Sequence, residues 1–313
     1  MQEEIVSAFT QDIYEASDLE FRVNVGSSEE IKSFDHPFLN SIGLFRSEFI
    51  YLDRSSIPTT EEQKTILENI QKKFSGTIVY RTLDIGGDKQ VDYLDLPQEE
   101  NPFLGVRGIR LSLDKKELFE TQIESILISE NVERVKIMFP MISTIEDFLE
   151  SNQIVETIAD KLKINKPEVG IMIETPSSTL LIEEFSKYVD FFSIGTNDLT
   201  QYIMAADRGN PNLVKYQDPL HPAVLRTLEN VISTANKNNI EVSVCGEMSS
   251  DSISASALYA LGLRVFSMSP SSAPFVFQQL NKIKDMDLNK IKDNILALEN
   301  STEVREELKK LNL

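Results

Sequence analysis

Positive charge is scarce in this chain. Thirty-one lysines and arginines stand against 50 aspartates and glutamates, a formal net charge of −19 over 313 residues. That balance argues against nucleic acid or an anionic membrane surface as a partner. Cysteine is scarcer still: one thiol, Cys245, excludes an internal disulfide and fits a reducing compartment. No apolar run reaches the roughly 18–20 residues that a bilayer-spanning helix needs. The opening Met-Gln-Glu-Glu lacks the apolar centre of a signal peptide. A cytoplasmic protein is expected. Only two histidines occur, His36 and His221, and each precedes a proline. The residue before proline is pushed toward extended backbone, so both read as turn residues rather than catalytic ones. There is no internal repeat, and no Gly-x-Gly-x-x-Gly turn follows the first strand, which counts against an open dinucleotide-binding sheet.

What is present is an alternation. With 41% apolar and 26% charged residues, the composition is that of a soluble globular protein. Short apolar or alternating runs read as strands at 20–25, 42–45, 77–80, 135–139, 169–173, 189–194, 241–245 and 264–268. Between them lie helical patterns opened by capping signals: Ser27 with Glu30, Thr60 with Gln63, Ser143 with Glu146, and Thr175 before Pro176. Further helices are expected from Asp114 to Ile128, at 223–238, 251–261 and 274–282, and in the charged tail from Asp285 to Leu313. Residues 1–18 read as a linker or helical remnant, and 19–313 as the folded unit with C-terminal helices. A connection rich in Asp, Glu and Pro runs from Gln90 to Gly105; loops of that length are usually functional or mobile. Eight strand–helix units in roughly 250 residues predict an α/β protein built as a closed (β/α)8 TIM barrel.

The polar residues sit where the strands end. Arg46 follows the second, Arg81 the third, Glu174 the fifth, Asn197 and Asp198 the sixth, and Cys245 with Glu247 the seventh. In a barrel these ends meet on the carboxyl face, with Arg107 and Arg208 on loops of the same side. Arginine recognises carboxylate and phosphate through paired hydrogen bonds. Two carboxylates on neighbouring strands suit a Mg2+ ion completed by ligand oxygens. The pattern predicts a small phosphorylated carboxylate as ligand and phosphoryl transfer as chemistry. A rim of salt bridges is the alternative. The stretch Gly195-Thr-Asn-Asp198 taken alone reads equally as a turn capping the next helix. Cys245, by its spacing, reads as a buried small apolar residue.

Seven segments in order carry a resemblance: Ile42 to Phe49, Arg81-Thr-Leu-Asp-Ile-Gly-Gly-Asp-Lys89, Glu99 to Arg110, Glu174-Thr-Pro176, Phe191 to Tyr202, Asp207-Arg-Gly209 and Cys245-Gly-Glu-Met248. Together they resemble the phosphoenolpyruvate-utilising enzymes, and within these the wording is similar to Enzyme I of the bacterial sugar phosphotransferase system. The resemblance runs from about Arg22 to Ser272. It implies a barrel that binds phosphoenolpyruvate and yields pyruvate. Arg46 and Arg81 would hold the phosphoryl group, Arg208 and Asn197 other substrate oxygens, with Arg107 in the same pocket. Glu174 and Asp198 would ligate Mg2+, and Cys245 would be the general acid that protonates the enolate carbon. It also implies a homodimer, and as partners an N-terminal phosphohistidine domain and a phosphocarrier protein. Neither His36 nor His221 has the context of the accepting histidine, so the chain is expected to correspond to the C-terminal half alone. Ser41 and Ser250 stand where the family has glycine, which implies tuned turns. A fragment of a pyruvate phosphate dikinase or phosphoenolpyruvate synthase, or a non-catalytic phosphoenolpyruvate-binding regulator, are the alternative readings.

Overall fold

The computed structural model describes residues 2–52, 54–86, 91–94, 96 and 98–312. Eight parallel strands close into a barrel in chain order. They are β1 Glu20–Val25, β2 Ile42–Arg46, β3 Ile78–Arg81, β4 Val135–Phe139, β5 Val169–Ile173, β6 Phe191–Ile194, β7 Glu241–Val244 and β8 Val265–Met268. Closure comes from β1 pairing with β8, with Phe21 opposite Phe266 and Val23 opposite Met268. Each strand matches its predicted run to within two residues. The alternation has period two because successive side chains point to opposite faces of a strand. Outward residues such as Ile78, Tyr80, Ile137, Ile171 and Phe192 join the large core beneath the helices. Leu44, Val79, Met138, Met172, Phe191 and Cys245 form a separate cluster inside the barrel.

The amino-terminal end of the barrel interior holds charges instead. Arg22 makes a bidentate pair with Glu241, at 2.8 and 2.9 Å, and reaches Glu20 at 2.7 Å. Lys136 reaches Glu241 at 3.3 Å and lies 5.3 Å from the centre of the Phe191 ring. Arg22 is buried and its carboxylate partners satisfy it, which is the condition for burying such a charge at all.

Two predicted caps move by one residue. The helix Thr60–Lys73 is capped by Thr59, whose hydroxyl accepts from Glu62 N while Glu62 accepts from Thr59 N. The helix Ile145–Leu162 is capped the same way by Thr144 and Asp147. In both places two hydroxyl residues stand side by side, and the partner carboxylate selects the second of the Ser-Thr pair and the first of the Thr-Thr pair. The helix expected from Asp114 begins earlier, at Ile109, entered through Gly108 at φ +56°. It breaks at Lys115 and resumes over Lys116–Leu127. The long connection contributes short turns at Asp92–Leu94 and Pro102–Leu104; the motif residues Gly87, Asp88 and Lys89 lie outside the described residues. Helices Leu288–Ala297 and Ser301–Lys309 form the charged tail. At the other terminus, helices Gln2–Ala8 and Gln11–Glu15 flank Phe9, whose ring meets Phe21 and Phe277.

Both histidines have turn roles. His221 Nδ1 accepts from Ala223 N, 3.2 Å, at the start of the helix Pro222–Lys237, and His36 Nδ1 accepts from Leu39 N, 3.1 Å. No helix among the described residues is long and apolar enough to cross a membrane.

Interior space is tight at Gly170 on β5, where a Cβ would lie 2.3 Å from the Phe191 backbone oxygen. Backbone cannot swing aside as a side chain can. Gly170→Ala is therefore expected to cost about 1–3 kcal/mol, the usual range for overpacking, read as a lowered urea midpoint. A loss below about 0.5 kcal/mol, the scale of an ordinary surface change, would show that the β5–β6 pair relaxes freely.

Candidate active site

Each inward column of residues climbs from the barrel interior to one cavity. On β3 the column is Val79 then Arg81; on β5 it is Gly170, Met172 and then Glu174. On β6 it is Phe191, Ser193 and Gly195, and on β7 it is Glu241, Ser243 and Cys245. The top member of each lines a cavity of about 520 Å³ at the carboxyl ends of the strands. Arg46, Asn197, Asp198 and Arg208 join them from the adjoining loops. Seven of the eight predicted site residues thus share one cavity wall.

Arg107, the eighth, is not among the residues lining it. It stands behind the wall, with Nη2 3.1 Å from both oxygens of Asp84 and Nη1 3.4 Å from Asp198 Oδ1 and 3.3 Å from Tyr202 Oη. Gly86, at φ +110°, brings the chain against it; a Cβ there would meet Arg107 Cβ at 2.6 Å. A left-handed φ and a close approach together call for glycine.

Arg81 is buried, with Nη2 2.6 Å from Glu48 Oε1 and Nη1 3.1 Å from Asp84 Oδ2. Burial opposes its charge, but Glu48, Asp84 and Glu174 outweigh that and hold the guanidinium firmly protonated. Its Nε–H is buried without an acceptor among the described residues. Arg46 and Arg208 are looser. Arg46 is 44% exposed and 3.8 Å from Glu30; Arg208 is 36% exposed and 3.5 Å from Asp198.

Glu174 follows β5 directly, ahead of Thr175, which caps the short helix Pro176–Leu180. Its Oε1 accepts from Met141 N at 2.7 Å. Burial, then the charges of Asp198 and Asp84, push its carboxyl up to about 8, against the opposing pull of Arg107 and Arg81. Asn197 and Asp198 lie in the first turn of the helix Thr196–Ile203, which starts immediately after Gly195. The Asn197 amide is bonded to Glu247 on the next loop: Oδ1 accepts from Glu247 N at 3.1 Å, and Nδ2 donates to Glu247 Oε1 at 3.3 Å.

Cys245 is both things its sequence allowed, a buried residue of the interior cluster and a member of the cavity wall. Ser193 Oγ donates to its sulfur at 3.4 Å. Burial pushes the thiol up to about 11, so it stays protonated at neutral pH. Asn24 on β1, which the sequence reading did not select, lines the same cavity and donates to the Cys245 carbonyl at 3.0 Å. Its signal was available: it lies two residues beyond Arg22 on the inward face of an alternating strand. Asp84, also not selected, joins Arg81 to Arg107. Ser250 has φ −95°, and Ser41 is not among the residues of positive φ, so neither serine is strained by replacing a glycine.

The donor set fits a hard divalent cation. Among the described residues no three His, Cys, Asp or Glu side chains are arranged to hold a metal by themselves. Glu174 and Asp198 instead offer two carboxylates on one cavity wall, and their mutual repulsion is what a cation would relieve. Mg2+ is commonly held by one or two carboxylates and finished by substrate oxygens and water.

A family profile described as PEP-utilising enzyme, PEP-binding domain, matches residues 2–285. The chain is 42% identical over 298 residues to a phosphoenolpyruvate-protein phosphotransferase of Bacillus subtilis, covering 91% of this chain and 51% of that protein. It is 40% identical over 299 residues to the protein of that name from Haloferax volcanii, covering 92% and 53%. The chain spans about half the length of the curated relatives it matches. Among solved structures, a citrate lyase from Burkholderia xenovorans superposes with a TM-score of 0.52 at 14% identity, covering 94% of this chain and 90% of that one. A lead(II) complex of Haloferax volcanii malate synthase gives 0.51 at 10% identity, covering 95% and 90%. These two are likenesses of fold.

Glu174 generates a pH dependence. In the folded, cation-free protein its carboxyl is pushed above the ordinary carboxylate range, so the folded state holds a proton that the unfolded state has released. Stability is therefore greatest below that range and falls as pH rises toward about 8. Glu174→Gln is expected to flatten the slope, with a higher denaturation midpoint than wild type near pH 8 and little difference near pH 5. Parallel curves for the two proteins across that window would contradict the assignment.

Proposed function

Because the chain belongs to the family of PEP-utilising enzymes, matched in their PEP-binding domain, we propose that its barrel binds phosphoenolpyruvate with Mg2+. We further propose that it supports transfer of the phosphoryl group to a protein histidine outside these 313 residues, releasing pyruvate. One observation carries this reading: three arginines, the neighbouring carboxylates of Glu174 and Asp198, and a protonated thiol line a single cavity. Arg46 and Arg81 take the phosphoryl oxygens and Arg208 the carboxylate side, with Asn197 fixing the loop beside it. Glu174 and Asp198 hold the cation. Arg107 acts through Asp84 and Asp198, keeping both carboxylates in place. Mg2+, when bound, would neutralise charge on the substrate oxygens.

In the transfer, the bond from phosphorus to the enol oxygen breaks and a bond from phosphorus to the histidine nitrogen forms. The carbon end of the resulting enolate takes the proton of the Cys245 thiol. Ser193 orients that thiol, and solvent restores the proton after release. The reading extends to a sugar phosphotransferase system in the cytoplasm, with a phosphocarrier protein as the next acceptor and a homodimer as the working form. The names of the curated relatives support the transfer itself.

Calorimetry tests the site. Phosphoenolpyruvate is expected to bind with Mg2+ and to lose affinity in EDTA. Arg46→Ala should weaken binding by about 1.5–3 kcal/mol, the worth of hydrogen bonds to a charged group. Arg46 is the cleaner probe because Arg81 is also held in a buried ion network, whose carboxylates its removal would disturb. Absence of binding in either condition would overturn the reading. Cys245→Ala should leave phosphoenolpyruvate binding intact and slow pyruvate formation by about 10²–10⁴-fold, the usual contribution of a general acid. The assay supplies a phosphohistidine domain in trans with labelled phosphoenolpyruvate. A domain that never becomes labelled would favour a binding protein without transfer activity.

A further inference from the structure

A second cavity, of about 350 Å³, shares no lining residue with the first. It lies between the loop after β3, the turn after β4, the start of the helix Pro176–Leu180 and Tyr202 on the helix Thr196–Ile203. Phe103, Leu104, Met141 and Pro176 give it apolar walls. Arg110 supplies the only cation among its lining residues, and the partners of that cation are all neutral. Its Nη1 donates to the carbonyls of Leu104 and Gly105, at 2.9 and 3.1 Å, and Nη2 donates to Ser143 Oγ at 3.1 Å. Arg46, Arg81, Arg107 and Arg208 each have a carboxylate within 4 Å. Among the described residues Arg110 has none, in a chain that carries a net −19. Carbonyl and hydroxyl oxygens orient a guanidinium without cancelling its charge, so the cavity is electropositive and mostly apolar. One guanidinium with flanking hydroxyls matches a carboxylate. A phosphate dianion would need more positive charge than this wall offers.

The partition between the cavities is made of groups that hold the first site. Met141 presents its side chain to the second cavity while its N–H donates to Glu174 Oε1, from a backbone held at φ +59°. Tyr202 Oη accepts from Arg107 Nη1 at 3.3 Å and donates to the Phe103 carbonyl. Thr175 follows Glu174 in sequence, and its hydroxyl donates to the Ile142 carbonyl at 2.8 Å. A ligand pressing on Met141 or Tyr202 therefore bears on Glu174 and Arg107.

We propose that this cavity is a second ligand site for a small carboxylate with an apolar body, and that its occupancy changes affinity at the first site. The carboxylate sits on Arg110, and the apolar body lies against Phe103, Leu104 and Met141. The coupling rests on phosphoenolpyruvate occupying the first site; the binding itself does not.

The probes are benzoate and butyrate, titrated into the full chain by calorimetry, with benzyl alcohol and butanol as uncharged counterparts. Saturable binding of at least one acid is expected, with its alcohol at least tenfold weaker. Arg110→Gln removes the charge, and Ser177→Phe fills the mouth from a half-buried position; each is expected to weaken the acid at least tenfold. Circular dichroism confirms that each variant is folded, and the two substitutions act by unrelated routes. With Mg2+ and phosphoenolpyruvate present, the acid should shift phosphoenolpyruvate affinity by about 5–150-fold and then saturate, as coupling between separate sites requires. No saturable binding, or equal affinity in wild type and both variants, would overturn the proposal. So would an unlimited competitive rise in the phosphoenolpyruvate dissociation constant, which would place the acid on the arginines of the first cavity. If phosphoenolpyruvate fails to bind at all, the acid titrations still decide the second site on their own.

Discussion

The carboxyl end of the barrel depends on a shared cluster of charge. Asp84 is its centre, bonded to Arg81 on one side and Arg107 on the other. Arg107 reaches on to Asp198, and Glu174 lies close enough to feel Asp84, Asp198 and both arginines. Each of these ions, buried alone, would cost several kcal/mol, and removing one strands its partner. The cluster therefore holds only if strands β3, β5 and β6 end at the same height with their inward columns in phase. The barrel provides that. Its pairing registers set Arg81 opposite Met138, Met172 opposite Ser193, and Ile194 opposite Val244. A register slip of one residue would turn these columns outward. The ion network and the closed sheet thus enforce each other.

The same phase explains the small residues inside. Gly43, Gly170, Ser193, Ser243 and Ser267 occupy inward or near-inward positions between the charged floor and the active rim. A Cβ at Gly43 would collide with Ser267 and Arg22, as one at Gly170 would with Phe191. Bulk is concentrated in Met138, Met172 and Phe191, whose flexible or flat side chains fill the remaining space. The serines add hydrogen bonds where larger apolar groups would not fit. Ser267 donates to Asn24 Oδ1 at 2.6 Å, and Asn24 holds the carbonyl of Cys245. The thiol is thereby placed by a chain of contacts that begins on β8 and crosses β1.

Much of this was legible in the sequence because it is local. A short apolar run that stops at a charged residue announces both the strand and the height of the charge, and Arg81 and Glu174 were readable in that way. Arg107 was harder. Its position depends on Asp84, 23 residues away, and Asp198, 91 residues away, and no periodicity carries that information. Asn24 was hidden within a strand, where an amide reads as an interruption rather than a site. The caps at Thr59 and Thr144 shifted because neighbouring hydroxyls offer equivalent chemistry and only geometry separates them. The resemblance to a family supplied the role of Cys245, which spacing alone did not; the structure adds why a thiol in that place keeps its proton.

The charge balance of the cavity also resolves an apparent conflict. An acidic protein that takes an anionic ligand needs local positive charge, yet Arg81 and Arg107 are each matched by buried carboxylates. They orient and preorganise, and add little net attraction. The looser cations are Arg46 and Arg208, which are more than a third exposed and only loosely paired, with Glu30 and Glu247 lining the same cavity. Deeper in, burial and then the charges of Asp198 and Asp84 push the Glu174 carboxyl toward neutrality, yet the other carboxylates of the wall still outnumber its three arginines. A divalent cation held by Glu174 and Asp198 would favour the charged form of Glu174. It would also bring positive charge to a cavity wall where the fixed arginines provide none in excess. Under the proposed function, ligand affinity would depend on both the looser arginines and the cation, because Arg81 and Arg107 are already committed to the buried ion network.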